Sequence, residues 1–177
     1  MKYKDDYVAL HESGKFFFGY SLLHFKELIK ETIDTTYSFT VLDYGSGKGK
    51  QYSKHKIDLY WNVHVDCYDP GYEPFSKLPE KKYDGVICTE VMEHIPEDEI
   101  DQALSEIFER ARKFVFFSIS LDPSNSDRGK TLLDGSNLHC TVKSPEWWFD
   151  KIKLHNKGKV KAIVYYTNSH VKKKGSP

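Results

Sequence analysis

A glycine-rich turn that directly follows an apolar segment is the feature that most constrains this fold. Residues 41–50 read Val-Leu-Asp-Tyr-Gly-Ser-Gly-Lys-Gly-Lys, an apolar strand that ends at Asp43 and continues into Gly45, Gly47 and Gly49. Glycine at alternate positions lets the backbone take positive φ and lets a ligand approach the main chain closely. In open α/β sheets, ligands bind at such turns, at the carboxyl ends of parallel strands. The turn therefore predicts a cofactor site in an α/β fold.

The spacing of the glycines does not match two common phosphate-binding motifs. The dinucleotide fingerprint needs glycine at its first, third and sixth positions, and the sixth position here is Lys50. A P-loop needs Gly-Lys followed by serine or threonine, whereas Gly49-Lys50 is followed by Gln51. The turn therefore belongs to a different class of cofactor site.

Segments typical of strands and of helices alternate along the chain, which predicts a doubly wound, mostly parallel sheet. A helical stripe covers residues 21–33 with Ser21 as its expected N-cap, and an amphipathic helix covers residues 97–112. Another helix is expected from residue 145, after the N-cap Ser144. The predicted strands span residues 39–44, 63–68, 83–88, 113–120 and 159–167.

We predict a single domain over residues 1–171, with an N-terminal lid and helix at 1–34, a core at 39–167 and a tail at 172–177. A chain of 177 residues is long enough for one sizeable core. About fifteen residues separate Asp69 from Asp84, too few for a helix and another strand, and one strand is recognisable near the C-terminus. The sheet is therefore expected to be reduced at these two places.

The composition excludes several classes of protein. Hydrophobic residues are 39% and charged residues 29% of the chain, as in globular proteins. The formal net charge of zero argues against a general nucleic-acid binder. No apolar run has the length of a membrane span, and the first residues lack the apolar core of a signal peptide. Because Cys67, Cys88 and Cys140 are few, odd in number and without zinc-site spacing, we expect them reduced in a cytoplasmic protein.

Four segments, in the right order, resemble those of the class I S-adenosylmethionine (SAM) methyltransferases. Residues 43–49, Asp-x-Gly-x-Gly-x-Gly, resemble motif I of that family, and Asp69 ends the second predicted strand. Residues 82–96 resemble the fourth-strand block, and residues 138–147 resemble the segment after strand five, a histidine followed by Ser/Thr-Pro-Glu. The chain is also similar to uncharacterised methyltransferase-like proteins from bacteria and phages. The resemblance implies a Rossmann-like sheet that binds SAM.

The resemblance also implies which residues bind the cofactor. They are Asp43, Gly45, Ser46, Gly47, Asp69, Pro70, Cys88 and Thr89. Backbone N–H groups of residues 45–49 can hold carboxylate or ribose oxygens. Asp43 can orient the ammonium group of SAM or organise the glycine turn, and the two roles are compatible. The two acceptor oxygens of Asp69 suit the ribose diol, and the alternative is an Asx turn before Pro70. The loop 121–142 and residues 11–20 should border this pocket.

An acidic and histidine-containing cluster follows the strand that carries Cys88. Glu90, Glu93 and His94 would share one face of a helical turn. The pattern resembles the metal site of ubiquinone-pathway O-methyltransferases and of small-RNA 3′-terminal 2′-O-methyltransferases, and the latter add a later histidine, here His139. The resemblance implies that these residues hold a divalent metal: manganese, iron, zinc or magnesium. A ligand set of two carboxylates and two imidazoles suits magnesium least. Without a metal, His94 and His139 are candidate general bases or structural histidines.

Two hypotheses for the function remain. The first is SAM-dependent O-methylation of a hydroxyl on a small molecule or on a sugar or ribose, with a saccharide or small-molecule acceptor as partner. Nucleic acid is not expected as a partner except at a ribose end. The segment beginning at Cys88 lacks the Asn/Asp-Pro-Pro-aromatic motif of base amino-methyltransferases, so N-methylation of a base is disfavoured. The alternative is a catalytically silent SAM- or nucleotide-binding module that acts through a partner. The acceptor and the oligomeric state are left open by the sequence.

Overall fold

The computed structural model describes residues 3–14, 17–124, 131–168 and 173–175, and a six-stranded sheet forms the centre of this part. The strands are β1 (Thr40–Tyr44), β2 (His64–Tyr68), β3 (Tyr83–Thr89), β4 (Ala111–Ser120), β5 (Lys161–Thr167) and β6 (Lys173–Gly175). The bounds of β1–β5 agree with the predicted strands to within two residues. Their β-branched and aromatic side chains suit a pleated surface that is buried by flanking helices.

The sheet has the strand order β2-β1-β3-β4-β5-β6. Strands β1 to β5 are parallel, with Val41 of β1 paired to Val65 on one side and to Gly85 on the other. Strand β6 is antiparallel to β5. The predicted α/β class and parallel sheet are therefore confirmed. Within the predicted tail at 172–177, residues 173–175 pair with β5 at the edge of the sheet.

Six helices surround the sheet in the described residues: α1 (Lys4–Glu12), α2 (Lys26–Thr35), α3 (Lys50–Ser53), α4 (Ile57–Trp61), α5 (Ile100–Arg110) and α6 (Pro145–Asn156). The predicted cap of α6 is confirmed, since the Ser144 hydroxyl accepts a 3.3 Å hydrogen bond from the Trp147 N–H. Ser21 is not a helix cap. It lies inside a 3₁₀ helix (Tyr20–Phe25) that precedes α2, and its hydroxyl donates to the Thr89 carbonyl.

The region between β2 and β3 is as short as expected. The whole of 69–82 is described, and its one regular element is a single 3₁₀ turn, Glu73–Phe75. Strand β2 consequently forms one edge of the described sheet. The space beside Tyr68, at the end of β2, is therefore open for a cavity.

The core divides into two layers, one on each face of the sheet. On one face, buried side chains of α5 and α6, among them Leu104 and Trp148, pack against the sheet, and on the other face α2 and α4 do so through Ile29 and Trp61. Gly85 of β3 lies so close to the ring of Phe114 that an added Cβ would be 2.1 Å from Cζ. Among the described helices, none combines the length and apolarity needed to cross a membrane.

Candidate functional site

A cavity lies over the carboxyl ends of β1, β2 and β3, which is where open α/β sheets bind ligands. The last residues of these strands, Tyr44, Tyr68 and Thr89, all line it. The cavity volume is about 220 Å³, far more than a single water molecule requires. The strand ends thus create a site for a small molecule at the predicted place.

About half of the predicted site residues line this cavity. Those that line it are Gly45, Gly47, Asp69, Pro70, Thr89, Glu90 and His94. Those that are absent from its lining are Asp43, Ser46, Cys88, Glu93 and His139. Cys88 and Ser46 are at most 1% exposed, because strand packing and the turn itself enclose them. A ligand confined to the cavity does not reach these side chains.

The glycine turn has the predicted backbone conformation but not the predicted free donors. Gly45, Gly47 and Gly49 have φ of 82°, 58° and 64°. Every backbone N–H from residue 45 to residue 50 already donates within the chain. The acceptors, in order, are Tyr68 O, Tyr68 O, the Asp69 carboxylate, Phe17 O, Ser46 O and Phe18 O. The expectation that these N–H groups hold ligand oxygens is therefore not met in this conformation.

The N-terminal segment closes over the glycine turn. The Phe17 carbonyl accepts from the Lys48 N–H at 2.8 Å, and a Cβ added to Gly47 would lie 2.3 Å from the same carbonyl oxygen. The Lys48 ammonium donates to the His11 carbonyl at 2.7 Å. Phe17 and Gly19 line the cavity together with residues of α1. Glycine at position 47 is thus required by close backbone packing, and the segment borders the pocket as predicted.

Helix α1 contributes two cavity residues: His11, which begins the segment 11–20 predicted to border the pocket, and Tyr7, which the sequence analysis did not predict. Tyr7 and His11 are buried, and both line the cavity. The Tyr7 hydroxyl donates to the His94 carbonyl at 2.9 Å, and the His11 Nε2 lies 3.3 Å from the Asp69 carboxylate. No local sequence motif predicts the contacts of Tyr7 with His94 and of His11 with Asp69, because the partners are distant in sequence. The hint available in the sequence is that both residues stand on one side of a short helix, four positions apart.

Asp69 is the best placed of the predicted cofactor ligands. One carboxylate oxygen accepts from the Gly47 N–H at 2.9 Å, and the other accepts from the Gly71 N–H at 2.9 Å. The second contact is the Asx-type turn that was expected as the alternative role. Asp69 therefore organises the glycine turn and also presents a carboxylate to the cavity.

Asp43 organises the turn from inside the protein. It is 1% exposed, and one of its oxygens accepts from the Gln51 amide and from the Tyr52 hydroxyl, each at 2.8 Å. Burial raises the pKa of Asp43 to about 6, and these two hydrogen bonds oppose the rise. Of the two roles open for Asp43, the structure contains the turn-organising one.

Glu90 departs from the predicted helical turn. Its φ is 55°, so the chain leaves helical geometry there, and the regular turn is a 3₁₀ helix of residues Met92–His94. The Glu90 carboxylate accepts from the Thr167 hydroxyl at 3.0 Å. The helical turn predicted to begin at Glu90 is therefore not formed there, although the Glu90 carboxylate still acts on Glu93.

Glu93, His94 and His139 do converge. One potential ligand atom from each lies within 4.8 Å of the other two, and Glu90 is not part of this group among the described residues. Glu93 is fully buried, with Oε1 accepting from the Ser120 N–H at 3.1 Å and Oε2 without a hydrogen-bond partner. Burial and the negative charge of Glu90 hold the pKa of Glu93 well above its usual range. An unsatisfied buried carboxylate oxygen beside two imidazoles suits a proton or a cation.

The two histidines are oriented by backbone carbonyls. His94 Nδ1 lies 3.2 Å from the Leu138 carbonyl, and His139 Nδ1 lies 2.6 Å from the Asp122 carbonyl. A carbonyl accepts only, so Nδ1 carries the proton in each ring and Nε2 carries the lone pair of the neutral form. This arrangement fixes metal-binding histidines in proteins. The rings meet edge to face, with centroids 4.7 Å apart.

The loop 121–142 supports the site from behind. Its described residues, 121–124 and 131–142, are absent from the cavity lining. Leu132 and Leu138 instead pack with Tyr7 of α1 in a small apolar cluster. The described residues of this loop thus do not border the pocket as expected. They act on it indirectly, by positioning Tyr7 and His94.

The charge of the cavity lining is strongly one-sided. Four carboxylates line it, those of Asp69, Glu90, Glu99 and Glu106. Among the described lining residues there is no lysine or arginine. Such a surface attracts cationic ligands and repels phosphates.

Comparisons with protein-family models, with curated proteins and with solved structures gave no match for this chain. The function must therefore be inferred from the site itself.

Proposed function

We propose that this protein is a SAM-dependent methyltransferase that methylates a hydroxyl group on a small molecule, a sugar or a ribose. The observation that carries the proposal is the cavity, in which the glycine turn, Asp69 and His94 meet at the carboxyl ends of adjacent parallel strands. The resemblance of residues 43–49 to motif I supports the choice of SAM.

The charge of the cavity supports SAM over phosphorylated cofactors. SAM carries a sulfonium and an ammonium cation and a single carboxylate. The four lining carboxylates would attract this ligand, whereas a nucleotide phosphate would meet no lysine or arginine among the described lining residues. If the protein is instead a catalytically silent binding module, the same charge argument favours SAM over a nucleotide as its ligand.

The part of the cavity near α5 has the character of a base-binding pocket. The rings of Tyr44 and Tyr68 lie with centroids 4.9 Å apart, and Gln102 and Glu106 of α5 line the cavity beside them. Aromatic faces stack on bases, and an amide or carboxylate can accept from an exocyclic amine. Residues of α5 would then bind the adenine of the cofactor.

His94 is the residue we assign to acceptor activation. It lines the cavity, and its Nδ1 contact with the Leu138 carbonyl leaves the lone pair of the neutral ring on Nε2. An imidazole in this state can take the proton of an acceptor hydroxyl near neutral pH. His139 does not line the cavity, so it orients His94 rather than contacting the acceptor.

The residues Glu93, His94 and His139 also fit a divalent metal. One Glu93 oxygen has no hydrogen-bond partner, and backbone carbonyls fix the tautomers of both histidines. Both features are typical of a site that binds a cation. One carboxylate and two imidazoles suit manganese, iron or zinc better than magnesium. Such an ion would lower the pKa of an acceptor hydroxyl.

A methyl-transfer assay tests the proposal. The purified protein is incubated with SAM and a panel of polyols, sugars and ribose-terminated compounds, with and without manganese, and S-adenosylhomocysteine is quantified. We expect product with at least one acceptor, and at least a hundredfold slower transfer by His94→Ala, on the order of a general base's contribution. His24→Ala is the matched control, because His24 does not line the cavity. No transfer to any hydroxyl, or full activity of His94→Ala, would contradict the assignment.

One observation favours the second candidate, a catalytically silent SAM-binding module. The N–H groups of residues 45–50 are all bonded within the chain, so the turn offers no donors in this conformation. A module of this kind would bind SAM with no methyl transfer to any acceptor. Calorimetric binding of SAM together with an inactive methyl-transfer assay would support this candidate, and measured transfer would exclude it.

A further inference from the structure

Helix α5 forms one wall of the cavity and presents two polar side chains there. Gln102 and Glu106 are four positions apart, so they share a face of the helix, and both line the cavity. Ala103 lines the same wall with a single methyl group. The wall thus combines hydrogen-bonding groups with a small apolar side chain, which is the combination that a flat heterocyclic base requires.

The position of Asp69 brings a nucleoside base toward this wall. Tyr68 and Asp69 are consecutive residues, and both line the cavity. Because a base is bonded directly to its ribose, a cofactor whose ribose is bound by Asp69 has its base within reach of Tyr68. The ring of Tyr44 lies beside that of Tyr68, with centroids 4.9 Å apart, and the Tyr44 hydroxyl contacts Glu106. The two tyrosines therefore connect the ribose site to the carboxylate of Glu106.

Two uncharged donors hold the Glu106 carboxylate in place. Its Oε2 accepts from the Tyr44 hydroxyl at 2.7 Å, and its Oε1 accepts from Gln102 Nε2 at 2.9 Å. Burial, together with the contact with Glu106, raises the pKa of Tyr44 far above its usual range, so the hydroxyl keeps the proton that it donates. Both contacts orient the carboxylate without neutralising its charge.

The oriented carboxylate can still accept hydrogen bonds from a ligand. A carboxylate has about four lone-pair sites and no donor. Among the described residues, Tyr44 and Gln102 use one site each, which leaves about two. Adenine carries an exocyclic amine that donates, whereas hypoxanthine and guanine carry at that position an oxygen that accepts only. An acceptor-only group at the wall thus suits adenine and opposes the oxygen.

We propose that Glu106 is the specificity-determining residue for the base of the cofactor, with its carboxylate accepting from the exocyclic amine of adenine. The inference rests on the proposed function, since it assigns the choice of base within the same SAM site to one side chain. It gives α5 a role in selecting the ligand as well as in packing. It also accounts for the hydrogen-bonded network of Tyr44, Gln102 and Glu106 at the cavity wall.

The test compares S-adenosylhomocysteine, by titration calorimetry, with two analogues that carry unsubstituted purine or hypoxanthine in place of adenine. The first analogue lacks the amine, and the second replaces the amine with an oxygen. Glu106→Gln keeps the size of the side chain but removes its charge. Glu109→Gln is the matched control, because Glu109 lies on the same helix and does not line the cavity. Thermal unfolding checks that both variants are folded, and the ligand series on the wild-type protein needs no substitution.

We expect the wild-type protein and Glu109→Gln to bind both analogues about tenfold more weakly than S-adenosylhomocysteine, the usual cost of losing a hydrogen bond to a charged group. Glu106→Gln should bind the parent compound and the hypoxanthine analogue within about threefold of each other, as a double-mutant cycle predicts for interacting partners. The reason is that a neutral amide can donate to the oxygen as well as accept from the amine.

The outcomes separate this inference from the proposed function. Equal affinity of the wild-type protein for the three compounds would overturn the role of Glu106 while leaving SAM binding intact. Full discrimination by Glu106→Gln would do the same, because the selection would then come from another group. Failure of the wild-type protein to bind either SAM or S-adenosylhomocysteine would overturn the proposed function, and the assignment of Glu106 with it.

Discussion

Replacing Asp43 by asparagine should stabilise the protein above pH 6 and reduce the pH dependence of its stability. Asp43 is 1% exposed, and burial raises its pKa from 3.8 to about 6 against the hydrogen bonds from Tyr52 and Gln51. The folded protein thus holds this proton more tightly than the unfolded chain does. The stability that protonated Asp43 contributes is fully present below pH 3.8 and is lost as the pH rises through about 6.

The size of the effect follows from the two pKa values. The difference between 3.8 and about 6, at about 1.4 kcal/mol per pH unit, amounts to a loss of about 3 kcal/mol by pH 8. Linkage places about half of this loss below pH 5, so on the order of 1–2 kcal/mol remains between pH 5 and pH 8. Asp43→Asn lacks the titrating group, and its unfolding free energy should not fall in this way.

Urea unfolding followed by tryptophan fluorescence at several values from pH 5 to pH 8 measures the difference. The gap in unfolding free energy between Asp43→Asn and the wild-type protein should widen by on the order of 1–2 kcal/mol across this range. Asp66→Asn is the control. Burial opposes the change, but hydrogen bonds from Lys81 and Tyr83 lower the pKa of Asp66, so its gap should stay constant above pH 5. A constant gap for Asp43→Asn would refute the reasoning.

Three further predictions concern the candidate metal-ligand group of Glu93, His94 and His139, the core and a helix cap. If a metal is held, Glu93→Gln should abolish manganese retention, whereas Glu90→Gln should retain it because Glu90 is outside the cluster; elemental analysis after dialysis measures both. Gly85→Ala should lower the unfolding free energy by about 1–3 kcal/mol, because its Cβ would overlap the ring of Phe114, and an unchanged urea midpoint would contradict this. Ser144→Ala should cost about 1 kcal/mol by removing the cap of α6, and thermal unfolding would detect a loss of that size.

The fold was predictable because its signals are local. The apolar segments of β1 to β5 and the glycine turn indicate their conformation through their own residues. The cap at Ser144 follows from the serine-proline pair that starts α6. The shortness of the region between β2 and β3 could be read from the spacing of two aspartates. These features need no knowledge of distant contacts.

The site was less predictable because it depends on contacts between distant segments. Nothing in the sequence near Glu90 indicates its positive φ or its absence from the candidate metal-ligand group. Two donors of the glycine turn, the N–H groups of Lys48 and Lys50, bond to the carbonyls of Phe17 and Phe18, some thirty residues earlier in the chain. His11 reaches Asp69 from a helix that has no pronounced apolar stripe. The convergence of Glu93 with His139, in contrast, was implied by the resemblance of two separate segments.

The most direct test of the central claim is equilibrium binding of SAM. Titration calorimetry of the purified protein with SAM, and separately with ATP at the same concentration, compares a cationic with a polyphosphate ligand. The acidic cavity predicts saturable binding of one SAM per chain, no measurable binding of ATP, and at least tenfold weaker SAM binding by Asp69→Ala, about the value of one hydrogen bond to a charged group. Binding of ATP in place of SAM, or no SAM binding at millimolar concentration, would contradict the account.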